Sequence, residues 1–257
     1  MKVALITLVI LLVIIIILIL ETKIIKEKIV TVKTNKIKGQ FSIIFISDLH
    51  IGKYVKEKEL IKIVNKISNL GGDVLLFGGD LFGVEIKKHY TKQSLKEILG
   101  KIKLKKYGVF GNHEYKTNKD LNKEEMNEWF ESVFVKLHNK KINLTSEIDL
   151  IGLDFEKAEN KVQIDSSKFN VLLSHHPDRI LDYKNIDLAL GGHTHGGHIN
   201  VPFVNVDRNF FFKRGVNQYK CSKVIISNGL GYLDVIKLRF LAKRDMYKII
   251  IKGDQSE

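Results

Sequence analysis

The sequence predicts an α/β domain with one or two mixed sheets, preceded by an N-terminal transmembrane helix. Three observations carry this expectation. Val3 to Leu20 is an apolar run broken only by Thr7. From Phe41 onward, short apolar β-rich runs alternate with segments of helical periodicity, and the later half is richer in strands. Five of the buried runs end in clusters of Asp, Asn, His and Gly, and in open α/β sheets ligands bind outside the carboxyl ends of the strands.

The first element is the apolar run. About 18 residues at 1.5 Å rise span roughly 27 Å, close to the thickness of a bilayer's hydrocarbon. Lys2 bounds it on one side, Glu21 and Lys23 on the other. Leu18-Ile19-Leu20-Glu21 offers no small-residue cleavage pattern, which favours a retained signal anchor over residues 1–22 against a cleaved signal peptide. Six lysines follow the span (Lys23, Lys26, Lys28, Lys33, Lys36 and Lys38), against Lys2 and the α-amino group before it. The positive-inside rule then puts the main domain in the cytoplasm. Lysine is abundant along the whole chain, so the side of the membrane stays open. Residues 23–40 read as a charged linker with an edge strand at Ile29–Val32, and 41–257 as one domain with no internal repeat.

Within that domain, Phe41–Ser47 (FSIIFIS), Asp73–Phe77 (DVLLF) and Tyr107–Phe110 read as buried strands. Between them, Glu57–Leu70 carries Leu60, Ile61, Ile63, Val64 and Ile67 at helical spacing, and Gln93–Ile102 is also predicted helical. Lys123–Val135 is predicted as a helix with Met126, Trp129, Phe130 and Phe134 on one side. Further strands are expected near Leu150–Leu153, Val171–Leu173, Leu188–Leu190, Val224–Ser227 and Met246–Ile251.

Composition removes several function classes. With 257 residues, 44% hydrophobic and 28% charged, the chain has ample material for a packed core. Nineteen Gly, two Pro and one Cys exclude a collagen, a Pro-rich linker protein and a disulfide scaffold, and Cys221 alone cannot build a Cys-rich zinc site. The net charge of +13 comes mostly from lysine. The arginines are Arg179, Arg208, Arg214, Arg239 and Arg244, whereas sites built for bidentate phosphate gripping favour Arg. The charge therefore reads first as a solvated surface, then as affinity for anionic lipid or a polyanionic substrate, and last as a nuclease's basic track. No Gly-x-Ser-x-Gly elbow and no P-loop occur.

The strand-end clusters are Asp48-Leu49-His50, Gly78-Gly79-Asp80, Gly111-Asn112-His113-Glu114, Ser174-His175-His176-Pro177-Asp178 and Gly191-Gly192-His193-Thr194-His195-Gly196-Gly197-His198. Of nine histidines only His89 and His138 fall elsewhere. Singly, each motif is ordinary cap or turn chemistry. In the last cluster, alternate residues of an extended segment would put His193 and His195 on one side. Taken together and in this order, the clusters are expected to point at one place.

The order Asp-x-His, Gly-Asp, Gly-Asn-His-Glu, His, Gly-His-x-His resembles the calcineurin-like metallophosphoesterases, from about Ile43 to Gly231. The Ser-His-x-Pro-Asp context of His175, the Gly-His-Thr-His-Gly-Gly run followed by Pro202, and Ser227-Asn228-Gly229-Leu230-Gly231 look like the membrane-anchored bacterial phosphodiesterase branch, related to UDP-2,3-diacylglucosamine hydrolases. The resemblance implies a four-layer α/β/β/α sandwich with two mixed sheets. It implies two divalent metal ions, the first held by Asp48, His50, Asp80 and His195 and the second by Asp80, Asn112, His175 and His193. His113 would be the catalytic group that contacts phosphate and protonates the leaving oxygen. His176 falls beside a ligand position and is left outside the inner set. Three departures bear on substrate: His198 stands where the branch usually has Gln, Leu81-Phe82-Gly83 lacks a second acidic residue, and Arg239 is preceded by Lys237 where a Pro is usual.

The chemistry such a set implies is hydrolysis of a phosphodiester or pyrophosphate by attack of a metal-bridging hydroxide. Mixed imidazole, carboxylate and amide ligands suit Mn, Fe, Zn or Ni. Phe203, Phe210-Phe211-Phe212-Lys213-Arg214 and Val235 to Arg244 combine aromatic and basic residues. They read either as strands of a core hairpin with exposed Lys and Arg, or as an interfacial surface that admits a lipid-linked phosphate. The leading expectation is thus a membrane-anchored dinuclear phosphohydrolase. A nuclease or cyclic-nucleotide phosphodiesterase of the same superfamily would instead show steep salt dependence. A metal-binding membrane scaffold without turnover would be expected only if ligand positions were missing.

Overall fold

The computed structural model describes residues 2–116, 120–156, 161–199, 209–233 and 237–254. Among the expectations above, Pro202, Phe203, Arg208, Val235 and Ile236 lie outside them.

Helix α1 (Lys2–Lys23) is apolar on every side until its last turn, and most of its described apolar side chains are open: Leu5, Leu8, Val13 and Leu20 are each about half or more exposed. It is long and apolar enough to cross a membrane. Strand β1 (Ile25–Thr34) follows after one residue. It pairs in parallel with β12 (Arg244–Gly253) over ten residues, Ile25 opposite Arg244 to Thr34 opposite Gly253. The segment expected as a linker is therefore largely sheet. Its period-2 pattern, with Val30 and Val32 turned inward among lysines, seats an edge strand, and the predicted Ile29–Val32 is only its centre.

The first sheet runs β1-β12-β2-β3-β4-β5 and the second β10-β11-β9-β8-β7-β6. In the first, β2 (Gln40–Ile46), β3 (Val74–Phe77), β4 (Lys105–Gly108) and β5 (Val135–Lys136) are parallel, and β12 is antiparallel to β2. In the second, β7 (Ile148–Leu153), β8 (Phe169–Ser174), β9 (Leu188–Gly191) and β11 (Ser222–Ile226) are parallel. The outer strands β6 (Lys140–Asn143) and β10 (Gly215–Tyr219) are antiparallel to their neighbours.

Parallel strands buried on both faces read as continuous apolar runs, and β2 shows why. Ile43 and Phe45 meet the second sheet in the inter-sheet core with Leu76, Val171, Leu188 and Ile249. Ile44 and Ile46 point the other way, into a core built with α2 (Glu57–Leu70), the short α3 (Ile86–His89), α4 (Lys92–Leu99) and α5 (Lys123–Glu131). Helix α2 matches its predicted span, burying Leu60, Ile63, Val64 and Ile67 and ending at Gly71 with φ 60°. Helix α5 stops at Glu131, four residues short of expectation. Phe134 still enters the core, but Val135 pairs with Tyr107 as β5. The layer outside the second sheet is thin. Among the described residues it is a 3₁₀ helix (Pro177–Asp182) with Ile180 and loop residues Val162, Ile164, Tyr183 and Phe212.

Candidate metal centre

The carboxyl ends of the parallel strands meet at one edge of the two-sheet core. The loops after β2 and β3 run side by side beyond their strands. The Asp48 N–H donates to the Gly79 carbonyl (2.9 Å), His50 N–H to Asp80 (3.1 Å) and Ile51 N–H to Leu81 (2.9 Å). The loop after β4 joins them where the His113 N–H donates to Asp80 Oδ1 at 2.9 Å. From the second sheet, His175 directly follows β8, and the loop after β9 carries His193, whose N–H donates to Asp48 Oδ1 at 3.1 Å. Asp48, His50, Asp80, His193 and His195 all have φ between 44° and 73°. For non-glycine residues such backbone costs about 1–3 kcal/mol each and persists where surrounding structure over-determines it.

The side chains form overlapping groups. In one, ligand atoms of Asp48, His50 and His195 lie within 4.8 Å of one another. His50 Nε2 is 3.1 Å from His195 Nε2 and 3.6 Å from Asp80 Oδ2. In the other, Asp80, His175 and His193 meet the same limit. His175 Nε2 is 3.2 Å from Asp80 Oδ2, 3.1 Å from Asn112 Oδ1 and 3.1 Å from His193 Nδ1. A third group, His50, Asp80 and His113, meets the same limit, so Asp80 and His50 link the other two. All seven residues expected as ligands are brought together, but the expected reason fails for one pair. The segment after His193 is not extended: Thr194 is helical and His195–Gly197 is a 3₁₀ turn. His193 and His195 are therefore splayed, one to each group.

This donor set fits divalent cations. Burial holds His50 down to about 3 and His193 down to about 4, and pushes His195 well below the usual imidazole range, so all three are neutral at pH 7. The facing ring nitrogens of His50 and His195, 3.1 Å apart, are satisfied either by one ring N–H or by a cation held between them. His175 Nδ1 lies 2.8 Å from the Gly78 carbonyl and donates to it, which leaves Nε2 for the cage. Burial opposes a charge on His175, but Asp80 outweighs it and raises the imidazole to about 9. Burial would raise Asp80 too, yet His175 holds it well below the usual carboxylate range. A proton between these two sits where a cation would compete for it.

The supporting residues were not foreseen as such. Glu114, fully buried, accepts from the N–H groups of Asp80 (3.0 Å), Leu81 (2.7 Å), Phe82 (3.3 Å) and Gly111 (2.7 Å). It ties the β3 and β4 loops together. Its signal was the acid in Gly-Asn-His-Glu. Gly111 lets the Asp80 carboxylate in, since a Cβ there would lie 2.1 Å from Asp80 Oδ1. Arg239, expected on a basic surface, is fully buried. Its donors meet the carbonyls of Gly231, Asn228 and Ala242, and Nη2 donates to His195 Nδ1 at 3.0 Å. Arg244 is also buried, bonded to Glu59, Tyr232 and the Leu230 carbonyl. Saturated donors explain how the Arg239 guanidinium leaves the surface, whereas Arg244 keeps an unpartnered Nη2 and is balanced by its ion pair with Glu59.

At the rim stands His113, half-buried, its ring edge-on to His50 at 4.5 Å, with Lys116 Nζ 3.4 Å from its Nε2. His176 stays outside the cage, stacking on His193 at 6.0 Å and accepting from the Asp178 N–H. His198 is buried behind His195, ring centroids 5.9 Å apart. The aromatic run divides. Phe210 meets His193 edge-on at 5.3 Å, Phe211 is 66% exposed, and Phe212 belongs to the core of the second sheet.

Residues 41–197 match the family described as calcineurin-like phosphoesterase. An uncharacterized metallophosphoesterase of Campylobacter jejuni is 29% identical over 250 residues, covering 88% of this chain and 63% of that protein. This chain thus spans less than two thirds of that relative's length. An uncharacterized metallophosphoesterase of Aquifex aeolicus is 27% identical, covering 91% of this chain and 94% of its own. The UDP-2,3-diacylglucosamine pyrophosphatase LpxG of Chlamydia trachomatis is 27% identical, covering 63% of this chain and 65% of its own. With the family matched over most of the chain and its motif residues gathered at one sheet edge, the chain belongs to the calcineurin-like phosphoesterases.

Proposed function

We propose that the chain is a membrane-anchored phosphohydrolase that cleaves a phosphodiester or pyrophosphate bond of a lipid-linked substrate with two divalent cations. The observation that carries this is the pair of donor groups sharing Asp80. Asp48, His50, Asp80 and His195 would hold one cation, and Asp80, Asn112, His175 and His193 the other. Bound there, the pair would neutralise phosphate oxygens and acidify water at neutral pH. The chain's own groups do the rest. Asn112 contributes an oxygen without charge, which leaves the cage electropositive toward an anion. His113, oriented through its backbone bond to Asp80, would donate a hydrogen bond to phosphate and a proton to the leaving oxygen. Lys116 adds positive charge beside it.

Two features support a lipid substrate. The apolar side chains of α1 are exposed along its length and need a covering medium. The foot of α1 also docks close to the cage. Thr22 Oγ1 accepts from the Arg239 N–H at 2.9 Å, Glu21 accepts from the Leu241 N–H at 3.1 Å, and Arg239 reaches His195. One arginine side chain thus separates the anchor from a proposed metal ligand. The relation to LpxG agrees with this reading.

The test is hydrolysis of a chromogenic phosphodiester by the full chain in micelles with added Mn, then of lipid pyrophosphates and oligonucleotides. Asp48→Asn should lose most turnover and bound metal while keeping its circular dichroism spectrum. Wild-type turnover in that variant would overturn the assignment, and preference for oligonucleotides with steep salt dependence would overturn the lipid substrate.

A further inference from the structure

The geometry points to a second anionic site: a pocket at the foot of α1 that binds the phosphate headgroup of an anionic phospholipid. This rests on the reading of α1 as a membrane span. The cavity, about 430 Å³, lies between the last turn of α1, one face of α2 and the segment before Arg239. Its apolar lining includes Ile19, Ile25 and Leu238, and its charges include Lys23, Lys62, Lys66, Lys237 and Glu59.

Two of these charges are committed elsewhere. Glu59 is bonded to buried Arg244 at 2.6 Å, and Lys66 pairs with Glu27. Lys237 lies over the Tyr232 ring, its Nζ 5.4 Å from the centroid, which leaves its hydrogen-bond donors open. Lys23 and Lys62 make no hydrogen bond or ion pair among the described residues, and both are exposed. Three ammonium groups without acidic partners thus face one cavity.

Its depth matches a headgroup. Ile19 belongs to the last apolar turn of α1, and Lys23 stands one turn beyond it, at the level where hydrocarbon ends and phosphates begin. Basic residues at that level each attract anionic lipid by about 1 kcal/mol. The apolar lining suits the glycerol and the start of the acyl chains, the lysines the phosphate. The proposed catalytic cage has no part in this pocket: none of its seven residues lines it.

The experiment titrates the full chain in detergent micelles with short-chain phosphatidylglycerol, short-chain phosphatidylcholine or glycerol phosphate, and reads bound molecules by native mass spectrometry. Phosphatidylglycerol should bind at least about tenfold tighter than phosphatidylcholine. Lys62→Gln with Lys237→Gln should weaken it roughly 30-fold. Lys101→Gln with Lys103→Gln, on an exposed turn elsewhere, should leave it unchanged. No lipid preference, or equal loss in both double variants, overturns the pocket. Glycerol phosphate binding as tightly as the lipid overturns the lipid source. A carbonate wash of membranes separates the two readings. Release of the chain overturns the span and the proposal with it, whereas retention without lipid preference overturns the pocket alone.

Discussion

Glu114 tests whether the cage is held by its supports as well as by its ligands. Each of its carboxylate oxygens accepts two backbone N–H groups, Leu81 and Phe82 on Oε1, Asp80 and Gly111 on Oε2. Glu114→Gln keeps the shape but turns one oxygen into a donor facing two donors. Two buried N–H groups orphaned at about 1–3 kcal/mol each give a loss of about 2–6 kcal/mol. In a domain of this size 1 kcal/mol moves Tm by about 2–4 °C, so the fall should be at least about 4 °C and reach about 24 °C. The same bonds set the backbone of Asp80, whose φ of 57° is costly without them. Mn affinity should therefore drop about 10–100-fold, as for other outer partners of metal ligands. The assay is differential scanning fluorimetry of the full chain in micelles with and without Mn, beside calorimetric titration. Glu124→Gln, in the exposed first turn of α5, serves as the surface control. A Tm within about 2 °C of wild type, with Mn affinity unchanged, would refute the reasoning.

Two further predictions follow from the same geometry. In the metal-free chain His175 holds its proton up to about 9, because Asp80 outweighs the effect of burial. Its contribution to metal-free stability is complete below the unfolded imidazole range and is lost as pH rises through about 9. A cation must displace that proton, so Mn affinity should rise about tenfold per pH unit from about 6.5 to 9 and then flatten; a flat calorimetric profile would contradict this. The exposed Phe211, not the core residue Phe212, tests the aromatic rim. Phe211→Ser should slow hydrolysis of a lipid-linked substrate and spare a soluble phosphodiester, and equal effects on both would remove the rim from substrate binding.

Much of the fold was legible because its strands are buried on both faces. Ile43 to Ile46 serve two cores at once, so the run is apolar throughout and cannot be mistaken for surface. The periodicity of α2 was equally direct, since one face packs and the other is wet. The elements that escaped are the ones with little apolar signal. β6 and β10 lie at sheet edges with lysine, asparagine and glutamine among their residues. β1 is legible only at Ile29–Val32; its two ends read as charged linker, and their pairing with the ten-residue β12 extends the strand.

The site divides in the same way, for a different reason. Asp48, His50, Asp80, Asn112, His175, His193 and His195 announce themselves because each pairs a donor atom with a turn at a strand end, and such letters are informative one by one. Glu114 and Arg239 act through bonds to backbone, and a backbone N–H or carbonyl has no letter. An Arg that saturates its donors on carbonyls and one that faces solvent read alike, so the sequence presents Arg239 as surface charge while it fixes the ring of His195. The glycines behave likewise. Gly111 reads as a flexible turn, yet the space it leaves is occupied by the Asp80 carboxylate. Sequence thus shows which atoms can bind a cation. Whether they are held at one place depends on partners whose identity is geometric, and helix α1, which docks on the Arg239 segment, is one of those partners.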